Sequence, residues 1–384
     1  MELTKCKLGE LITQRREKND GSDLPICGVS KDGLIPPKQK DADTSIYNVF
    51  YRDDFIFNPA RMELNSIAIN DMYDRAICSS LYEVFYVHRT DLLLPHYLEL
   101  IIRQKWFTRY CEFLGQGSAR EYCRFDNISE IEIEFPPIEE QQKIVEYNTA
   151  IENRIALKQK INDNLVAVGT ASIQKNVGRG ALINLTEAEM DSLIFPEDFK
   201  IKTVSEFCAE TKSGSTPSRT NNEYWENGTI SWVKSGEVHN NITLQTEEYI
   251  TSLGLSESST KLLPKDTVLM AMYGVTAGEV GYLAIEATTN QAICGMICRS
   301  KAEAAYLYFS LIQSQAAISR LSNGGAQDNL SKNFIDNIKI VVPPSEFIEK
   351  LNLAAIVEQM TLNTKEITLL EELQATVLAQ LSSR

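Results

Sequence analysis

The sequence has few of the residues from which catalytic and metal centres are built. Its 384 residues include three histidines and eight cysteines, and no two cysteines form a Cys-x-x-Cys pair. Zinc sites depend on closely spaced thiolate and imidazole ligands, and a Ser-His-Asp or Cys-His arrangement depends on a histidine beside the nucleophile. The nearest cysteines, Cys294 and Cys298, lie in an apolar run, which favours buried free thiols. We therefore predict no catalytic residue and no metal ligand.

Motifs that bind nucleotide phosphates or transfer methyl groups are also missing. The sequence has no Gly-x-x-x-x-Gly-Lys-Ser/Thr loop, and the glycine-rich run at 274–281 lies between strand-like segments, which favours a β-turn. The nearest match to the Asn/Asp-Pro-Pro-aromatic motif of amino-methyltransferases, at 58–60, lacks the second proline and the aromatic residue. Glu139 and Glu140 follow a Pro-Pro step at a predicted helix start, where acids favour the helix dipole.

Long hydrophobic runs are absent as well. No segment approaches the roughly 20 apolar residues that span a bilayer, and residues 1–20 are charged and helix-like, without the apolar core of a signal peptide. We therefore expect a cytoplasmic protein without a membrane partner. The length, with 43% hydrophobic and 23% charged residues, fits two globular domains that each bury a core.

Positive charge is scarce. The formal net charge is -14, although a surface that binds nucleic acid is normally basic. The distribution is uneven, because Arg103, Lys105, Arg109, Arg120 and Arg124 outnumber the acids of their segment. A locally basic face on an acidic protein is compatible with DNA binding, and it suggests that a partner subunit supplies much of the affinity.

The chain contains an internal repeat, which is the strongest indication of its architecture. A shift of 207 residues aligns Gly117, Ala119, Ile128, Ile131, Ile133, Pro136 and Pro137 with Gly324, Ala326, Ile335, Ile338, Ile340, Pro343 and Pro344. With small insertions, residues 8–11 match 204–207, 54–57 match 266–269, 76–78 match 292–294, and 97–98 match 306–307. Five matches in the same order predict a tandem duplication.

Each repeat is predicted to have an α+β fold with small twisted sheets. Alternating or β-branched apolar runs at 131–135, 268–272 and 338–342 predict strands. Segments 95–109 and 302–321 predict helices between the strands. The last strand of each repeat ends at a Pro-Pro step, which cannot continue a hydrogen-bonded ladder.

A long helix with a heptad seam is predicted after each Pro-Pro step. The second helix, residues 346–381, would be about 54 Å long at 1.5 Å per residue. Its seam includes Asn363 and Gln374, buried polar residues of the kind that fix register, while Arg154 and Lys158 interrupt the weaker first seam. The predicted apolar and polar seam positions are Ile144, Tyr147, Ile151, Ile161, Leu165 and Val168, then Leu353, Ile356, Met360, Asn363, Ile367, Leu370, Gln374, Val377 and Leu381.

The repeat and the helices together predict four segments. A first globular domain is assigned to residues 1–136 and a first spacer helix to 137–178; a second domain is assigned to 179–343 and a second helix to 344–384. Two such helices packed as an antiparallel coiled coil would hold the two domains at opposite ends. A helix packed flat on its own domain, the alternative, would have a broader apolar stripe. A duplication with stiff spacers suits a protein that recognises two separated half-sites.

Several motifs resemble the target-recognition domains in the specificity subunits of type I restriction-modification systems. In the second repeat these are Ser-Gly-Ser-Thr-Pro-Ser at 213–218, Glu-Tyr-Trp at 223–225, and the segments at 230–237, 272–274, 290–293 and 324–327. The first repeat is a diverged relative at 8–12, 15–16, 33–36 and 53–59. Residues 136–144 resemble the start of the spacer helix of the family, and the resemblance covers essentially the whole chain.

The resemblance implies that each globular domain is a target-recognition domain for one half of a bipartite target, while the helices set the gap. The first repeat lacks the Gly-x-Thr-Pro-Ser opening, so the two half-sites are expected to differ. Residues 345–347 lack the Glu-Gln-Gln of the first helix, which leaves the symmetry of partner docking open. Expected partners are double-stranded DNA, two methyltransferase subunits and, where the system has them, restriction or translocase subunits. S-adenosylmethionine, ATP and Mg are expected on those partners, and no cofactor is expected on this chain.

Candidate DNA contacts are polar and cationic side chains on loops, because phosphate contacts position a protein and base-edge contacts specify sequence. The candidates are Arg15, Arg16, Lys31, Lys38, Lys40, Arg61 and Arg120 in the first domain, and Lys212, Arg219, Lys234, Tyr273 and Gln327 in the second. A solvated surface charge is the alternative for each. Trp225 and Trp232 are predicted to be core residues rather than base-stacking residues because of their large apolar area.

Two other functions remain open at this point. One is a scaffold in which the coiled coil joins two protein-binding heads. The other is a specificity chain of a different restriction type, which works with a fused nuclease-methylase.

Overall fold

The computed structural model describes residues 3–31, 33–37, 44–115, 122–183, 189, 193–239, 242–323 and 329–382. The chain divides into two compact units. Unit 1 comprises Met1–Arg154 and Leu370–Arg384, and unit 2 comprises Ile155–Leu369.

The described part of unit 1 contains three small sheets. Its strands are β1 (Thr4–Lys7), β2 (Ile12–Arg15), β3 (Ile26–Ser30), β4 (Gly33–Ile35), β5 (Asn48–Tyr51), β6 (Phe55–Phe57), β7 (Ile67–Ile69), β8 (Arg75–Cys78), β9 (Glu83–Val87) and β10 (Glu132–Phe135). The two four-stranded sheets have the orders β2-β9-β6-β7 and β4-β3-β8-β5, and β1 pairs with β10. Aromatic residues of β6 and β9 fill the core, where the rings of Phe55 and Phe85 stack at 4.9 Å.

The helices of unit 1 cover one face of the first four-stranded sheet. They are α1 (Pro95–Ile102), α2 (Lys105–Gly115), α3 (Phe125–Ser129) and the start of α4 (Ile138–Asn176), with 3-10 turns at Leu8–Glu10, Thr44–Ile46 and Pro59–Leu64. Pro95 occupies the first turn of α1, where its missing N–H costs nothing. Glu139 and Glu140 lie in the first turn of α4, as predicted.

Two predicted helices of unit 1 are corrected. The segment 95–109 is two helices, because the chain turns after Ile102 so that Ile101 and Phe107 are both buried. Residues 1–20, predicted to be helix-like, instead form β1, a 3-10 turn and β2 within their described part. Lys5 and Lys7 are exposed on β1, while Leu8, Leu11 and Ile12 enter the core.

Three further sheets are present in the described ranges of unit 2. Its strands are β11 (Ala181–Leu182), β12 (Lys200–Thr203), β13 (Glu210–Ser213), β14 (Ile230–Val233), β15 (Ile242–Thr243), β16 (Glu248–Ile250), β17 (Thr267–Ala271), β18 (Val280–Leu283), β19 (Thr288–Thr289), β20 (Ile293–Ile297) and β21 (Lys339–Val342). The orders are β11-β21-β12, β13-β20-β17-β18-β15 and β16-β14-β19. The strands β17 and β20 are almost wholly buried, as expected for apolar runs at the centre of a sheet.

The helices of unit 2 pack around the five-stranded sheet. They are α5 (Val204–Phe207), α6 (Ser252–Ser256), α7 (Lys301–Asn323), α8 (Lys332–Asp336) and α9 (Ser345–Lys350), with 3-10 turns at Asn222–Tyr224, Ser235–Glu237 and Gly274–Thr276. Helix α7 fills the core with Tyr306, Tyr308 and Phe309, which are fully buried. The glycine-rich run at 274–281 forms the turn between β17 and β18, as predicted. Cys294 is buried, Cys298 is partly buried, and both are free thiols.

The duplication is present in the strand pairing. Thr4 pairs with Phe135 in unit 1, and Lys200 pairs with Val342 in unit 2. Lys200 lies 196 positions after Thr4, and Val342 lies 207 positions after Phe135. The backbone N–H of Leu8 donates to the carbonyl of Ile131 at 2.8 Å, and Val204 donates to Ile338 at 2.9 Å. The strand order β2-β9-β6-β7 recurs as β13-β20-β17-β18. The two units therefore share one frame.

Two of the sequence matches within the repeat are wrong in detail. Asp53, rather than Asp54, is the counterpart of Asp266, because both have positive φ values of 65° and 66° and both donate a backbone hydrogen bond across the hairpin. Residues 76–78 form β8, which pairs in parallel with β3, whereas 292–294 lie at β20. The counterpart of β8 is β19, which pairs in parallel with β14. Similar short apolar runs on different strands produced the false match.

The second long helix is interrupted near its start. Asn352, with a left-handed φ of 53°, separates α9 from α10 (Leu353–Ser382), so the prediction of one helix over 346–381 is wrong at this point. Asparagine adopts this conformation more readily than most residues. The uninterrupted helices are α4, with 39 residues, and α10, with 30 residues, or about 58 Å and 45 Å at 1.5 Å per residue.

In unit 2 the described parts of α4 and α10 pair antiparallel through a buried polar layer. Asn363 donates to Asn162 at 2.9 Å, and Lys158 contacts Glu366 at 2.7 Å, so the partner number falls as the position along α4 rises. In unit 1, Gln374 donates to the amide oxygen of buried Asn148 at 3.0 Å.

The predicted seam is only partly apolar. Tyr147 and Val168, two of the predicted seam residues, are exposed, and the other apolar seam residues with a described side chain are buried or half-buried. Asn148 and Asn162 take inner positions that the heptad pattern did not predict. The side chain of Leu381 lies outside the described part of the chain.

Candidate nucleic-acid interface

Unit 1 has a cleft at one edge of its sheets. Its volume is about 1350 Å³, and it is lined by the β3–β4 turn, the β6–β7 loop, the β8–β9 turn and residues near 122–124. Strand pairing forces these four connections to the same edge. Residues far apart in the sequence thereby share one concave surface.

Among the described residues, three cations line this cleft. Lys31 and Arg61 are exposed, and neither has a carboxylate within ion-pair distance among the described residues. Arg124 lies 3.5 Å from Glu83 at the cleft wall. Cations without a carboxylate partner can bind phosphate without first losing an ion pair. The structure thus brings together two of the residues predicted to contact DNA, Lys31 and Arg61.

Arg15 and Arg16 have protein partners instead. Arg15 forms a bidentate pair with the buried carboxylate of Asp54, at 2.6 and 3.0 Å, and its guanidinium lies between the rings of Tyr51 and Tyr86 at 4.7 and 4.6 Å. Burial raises the pKa of Asp54, and the hydrogen bonds from Arg15 oppose that shift. Arg15 therefore braces the β5–β6 turn. Arg16 is exposed and donates to the side chain of Gln14 at 2.7 Å.

In unit 2 the motifs that carried the family resemblance converge on one edge. Ser215 donates to the carbonyl of Thr289 at 2.9 Å, and Asn290 donates to Val233 at 3.0 Å. Thr216 donates to the side chain of Gln291 at 2.5 Å. Gly214 is required here, because a Cβ at this position would lie 2.2 Å from the carbonyl oxygen of Thr289. The loop 213–219 is therefore packed directly onto the end of β19.

Arg219 is the centre of a rigid cluster on this edge. Its guanidinium lies 3.7 Å from the ring of Trp225 and 4.9 Å from the ring of Trp232, and it forms an ion pair with Glu248. The hydrogen bond from Arg219 lowers the pKa of Glu248, and Lys234, 3.3 Å away, acts in the same direction. Trp232 is buried, as predicted, whereas Trp225 is half-exposed. Arg219 and Lys234 thus lie together, both paired with acids.

The remaining predicted contacts of unit 2 are separate from this cluster. Tyr273 is exposed next to the β17–β18 turn and forms a backbone bridge with Asn329. Its neighbour Met272 donates to the carbonyl of Ala292 at 2.7 Å, which connects this turn to the Asn290–Gln291 segment. Lys212 lies on β13 and contacts Glu210 at 2.8 Å. Lys38, Lys40, Arg120 and Gln327 lie outside the described residues.

The structure adds residues that the sequence did not single out. Arg124, Leu64 and Tyr82 line the unit 1 cleft, and Val275 lies at the tip of the β17–β18 turn. Arg124 was noted only as part of a basic segment. The internal repeat could have indicated Leu64, Tyr82 and Val275, because these residues lie in the connections between strands, and the connections differ between the two repeats.

In the described part of the chain, no group of three or more His, Cys, Asp or Glu residues is placed to hold a metal ion. No helix in these ranges combines the length and apolarity needed to cross a membrane.

The comparisons with known proteins agree with the duplicated frame. The family model of the type I restriction modification DNA specificity domain matches residues 6–167 and 196–375. The HindI type I restriction enzyme specificity subunit of Haemophilus influenzae is 22% identical over 357 residues, covering 76% of this chain and 77% of that protein. The MjaIX specificity subunit of Methanocaldococcus jannaschii is 20% identical over 304 residues, covering 76% and 69%.

One solved structure shares the fold. The S subunit of a type I restriction-modification system from M. genitalium superimposes with a TM-score of 0.58 at 16% identity, covering 99% of this chain and 96% of that one. The family model matches well over half of the chain, once in each repeat. The protein therefore belongs to the type I restriction-modification DNA specificity family.

Proposed function

We propose that the two units recognise the two halves of one bipartite, asymmetric double-stranded DNA target. As a member of the specificity family, the chain supplies DNA sequence recognition and no catalysis of its own. The observation that carries the proposal is the equivalent edge of the two units, where the same hairpin and strand ends present different side chains. Unit 1 presents Lys31 and Arg61, whereas unit 2 presents the Arg219 cluster and Tyr273.

The two units share one fold but present different side chains at the equivalent edge. This difference favours two unlike half-sites. Backbone contacts to phosphate do not depend on sequence, whereas hydrogen bonds to base edges do. Arg61 and Tyr273 occupy the same hairpin in the two units, but one is a cation and the other a neutral phenol. Each unit would therefore favour a different base pattern.

The partners follow from the same proposal. Methyltransferase subunits, two in number, would dock along α4 and α10, and restriction or translocase subunits would join where the system has them. S-adenosylmethionine, ATP and Mg would bind to those partners rather than to this chain. Because the target is cellular or invading DNA, we place the assembly in the cytoplasm.

Methylation mapping tests the proposal. The full chain is co-expressed with its methyltransferase subunit in a host without other methylation, and the modified sites of the genome are sequenced. We expect one motif made of two unlike halves separated by a fixed gap. An intact complex that produces no bipartite modified motif would falsify the proposal.

A double variant in unit 1 tests whether this unit binds one half-site through Lys31 and Arg61. Changing Lys31 and Arg61 together to Ala should weaken binding of a duplex carrying the motif and reduce the slope of log affinity against log salt by about two, one for each phosphate contact. The matched control changes Lys5 and Lys7, exposed on β1 and outside the lining of the cleft, to Ala. An equal loss in both variants would show a general charge effect instead.

A further inference from the structure

The β6–β7 hairpin of unit 1 and the β17–β18 hairpin of unit 2 are the same element of the repeat. The backbone N–H of Asn58 donates to Ser66 across the first loop at 2.9 Å, and Ala271 donates to Glu279 across the second at 2.9 Å. Each loop ends with a residue in the left-handed region, Asn65 with φ 51° and Gly278 with φ 89°. The two loops therefore have the same length, with Leu64 at the position of Ala277 and Val275 at the position of Met62.

The loop of each hairpin exposes an aliphatic side chain. Leu64 is 59% exposed in unit 1, and Val275 is fully exposed in unit 2. The two side chains occupy different positions of the loop, and their counterparts, Met62 and Ala277, are buried. Isolated surface hydrophobics are common, so the surroundings of each side chain decide its role.

The tip of unit 2 is held in place by backbone hydrogen bonds. Ala277 donates to Gly274, Gly278 to Ala271 and Glu279 to Thr276, at 3.1, 2.8 and 2.9 Å. A Cβ on Gly278 would lie 2.7 Å from Ser319, so the turn is packed closely against α7. The exposure of Val275 is therefore a property of a fixed turn.

Groups suited to base edges and phosphates surround both tips. Leu64 lines the unit 1 cleft together with Lys31, Arg61 and Asn58. Val275 follows the exposed Tyr273 by two residues, and Met272, just before this turn, donates a backbone hydrogen bond to Ala292, next to Gln291. In the major groove, thymine alone presents a methyl group next to hydrogen-bonding edges, and aliphatic side chains recognise it by contact.

We propose that Val275 in unit 2 and Leu64 in unit 1 are specificity-determining residues that contact the 5-methyl group of a thymine in the major groove of their half-sites. The proposal rests on the DNA-recognition function proposed above. Each hairpin places one aliphatic side chain against one methyl group, while the polar neighbours contact base edges and phosphates.

Replacing thymine by uracil, which lacks only the methyl group, tests this contact. The assembled complex of the full chain with its methyltransferase subunit is titrated with duplexes in which each thymine of the mapped motif is replaced in turn. For the native chain, one uracil in each half-site should weaken binding about fourfold, the change expected for burying one methyl group. With Val275→Ser the uracil effect should disappear in the half-site of unit 2 alone, and with Leu64→Ser in the other half-site alone.

The controls separate this contact from other roles. Leu253→Ser, at an exposed position on α6, should retain both uracil effects. Leu81 also lines the unit 1 cleft, so loss of the uracil effect in Leu81→Ser but not in Leu64→Ser would overturn the assignment to the hairpin.

Other results would also overturn the inference. One is a half-site that contains no thymine on either strand. Another is Val275→Ser weakening all duplexes equally with the uracil effect intact, which would indicate a wedge between base pairs. If the native complex binds no bipartite motif at all, the proposed function itself fails.

Discussion

The side-chain amide of Asn363 donates a hydrogen bond to the amide oxygen of Asn162 at 2.9 Å, and both residues are buried between α4 and α10. The oxygen of Asn363 accepts a hydrogen bond from Lys158 at 3.1 Å, and Lys158 also contacts Glu366. Each group in this layer has its partner only in the observed register. A shift of one heptad would place Ile356 or Leu370 opposite Asn162 and leave buried polar groups unpaired.

Asn363→Leu should lower the stability of the protein. The substitution leaves the oxygen of Asn162 without its donor in a buried site, which costs about 1–3 kcal/mol. Urea denaturation of the full chain, followed by circular dichroism, measures the change in the free energy of unfolding. Asn164→Leu, two residues from Asn162 but exposed, is the matched control and should change it by less than about 0.5 kcal/mol.

The double variant Asn162→Leu with Asn363→Leu should recover part of the loss, because replacing both partners by apolar groups leaves no unpaired amide. A double variant that is destabilised by the sum of the two single changes would show that the two amides contribute independently.

Gln141→Ala should destabilise the junction between the first domain and α4. The side chain is fully buried; its amide nitrogen donates to the carbonyls of Leu92 and Pro136 at 2.7 and 2.8 Å, and its oxygen accepts from Leu94 at 2.9 Å. Removing it leaves three backbone groups without their partner, for a loss of about 2–4 kcal/mol. Gln142→Ala, next in the sequence but exposed, should be nearly neutral. Equal midpoints for the two variants in a urea titration would contradict this role.

Asn363 and Gln141 show what the sequence could and could not predict. The heptad pattern placed Asn363 in the seam, because periodicity identifies the inner face of a helix. The same pattern could not identify Asn148 and Asn162, since a polar residue at an inner position looks like a surface residue until its partner is known. The burial of Gln141 was also not predicted: the Glu-Gln-Gln run was noted only as part of a family motif.

The candidate site was predictable as a set of loops but not residue by residue. The repeat located the hairpins, yet residue type alone could not distinguish exposed Arg61 from Arg15, which is engaged by Asp54. An arginine becomes a structural brace when a buried carboxylate faces it, and that contact depends on strand pairing across 39 positions. The break at Asn352 escaped prediction because the surrounding apolar spacing continues through it.

His96 should titrate above the ordinary histidine pKa of about 6.5. Hydrogen bonding to Glu99 raises its pKa, partial burial lowers it, and Asp53, 3.7 Å away, raises it further. Because the folded pKa is raised, the stability from this contact is fully present below the unfolded pKa and is lost as pH rises through the folded pKa. Titration of the ring proton by NMR measures the shift, and Glu99→Gln should reduce it. An unchanged pKa in Glu99→Gln would rule out Glu99 as the main cause.

Gly214→Ala should impair recognition by unit 2 while leaving unit 1 intact. The new Cβ would lie 2.2 Å from the carbonyl oxygen of Thr289 and 2.3 Å from that of Asn290, distances at which backbone must move. Displacing the 213–219 loop would separate Thr216 from Gln291 and shift Arg219 from its tryptophans. Methylation mapping should show relaxed or lost recognition in one half-site only. Gly236→Ala, whose Cβ would meet no atom within 4 Å, is the control and should preserve the motif. Loss of both half-sites together in Gly214→Ala would mean that the two units do not recognise DNA independently.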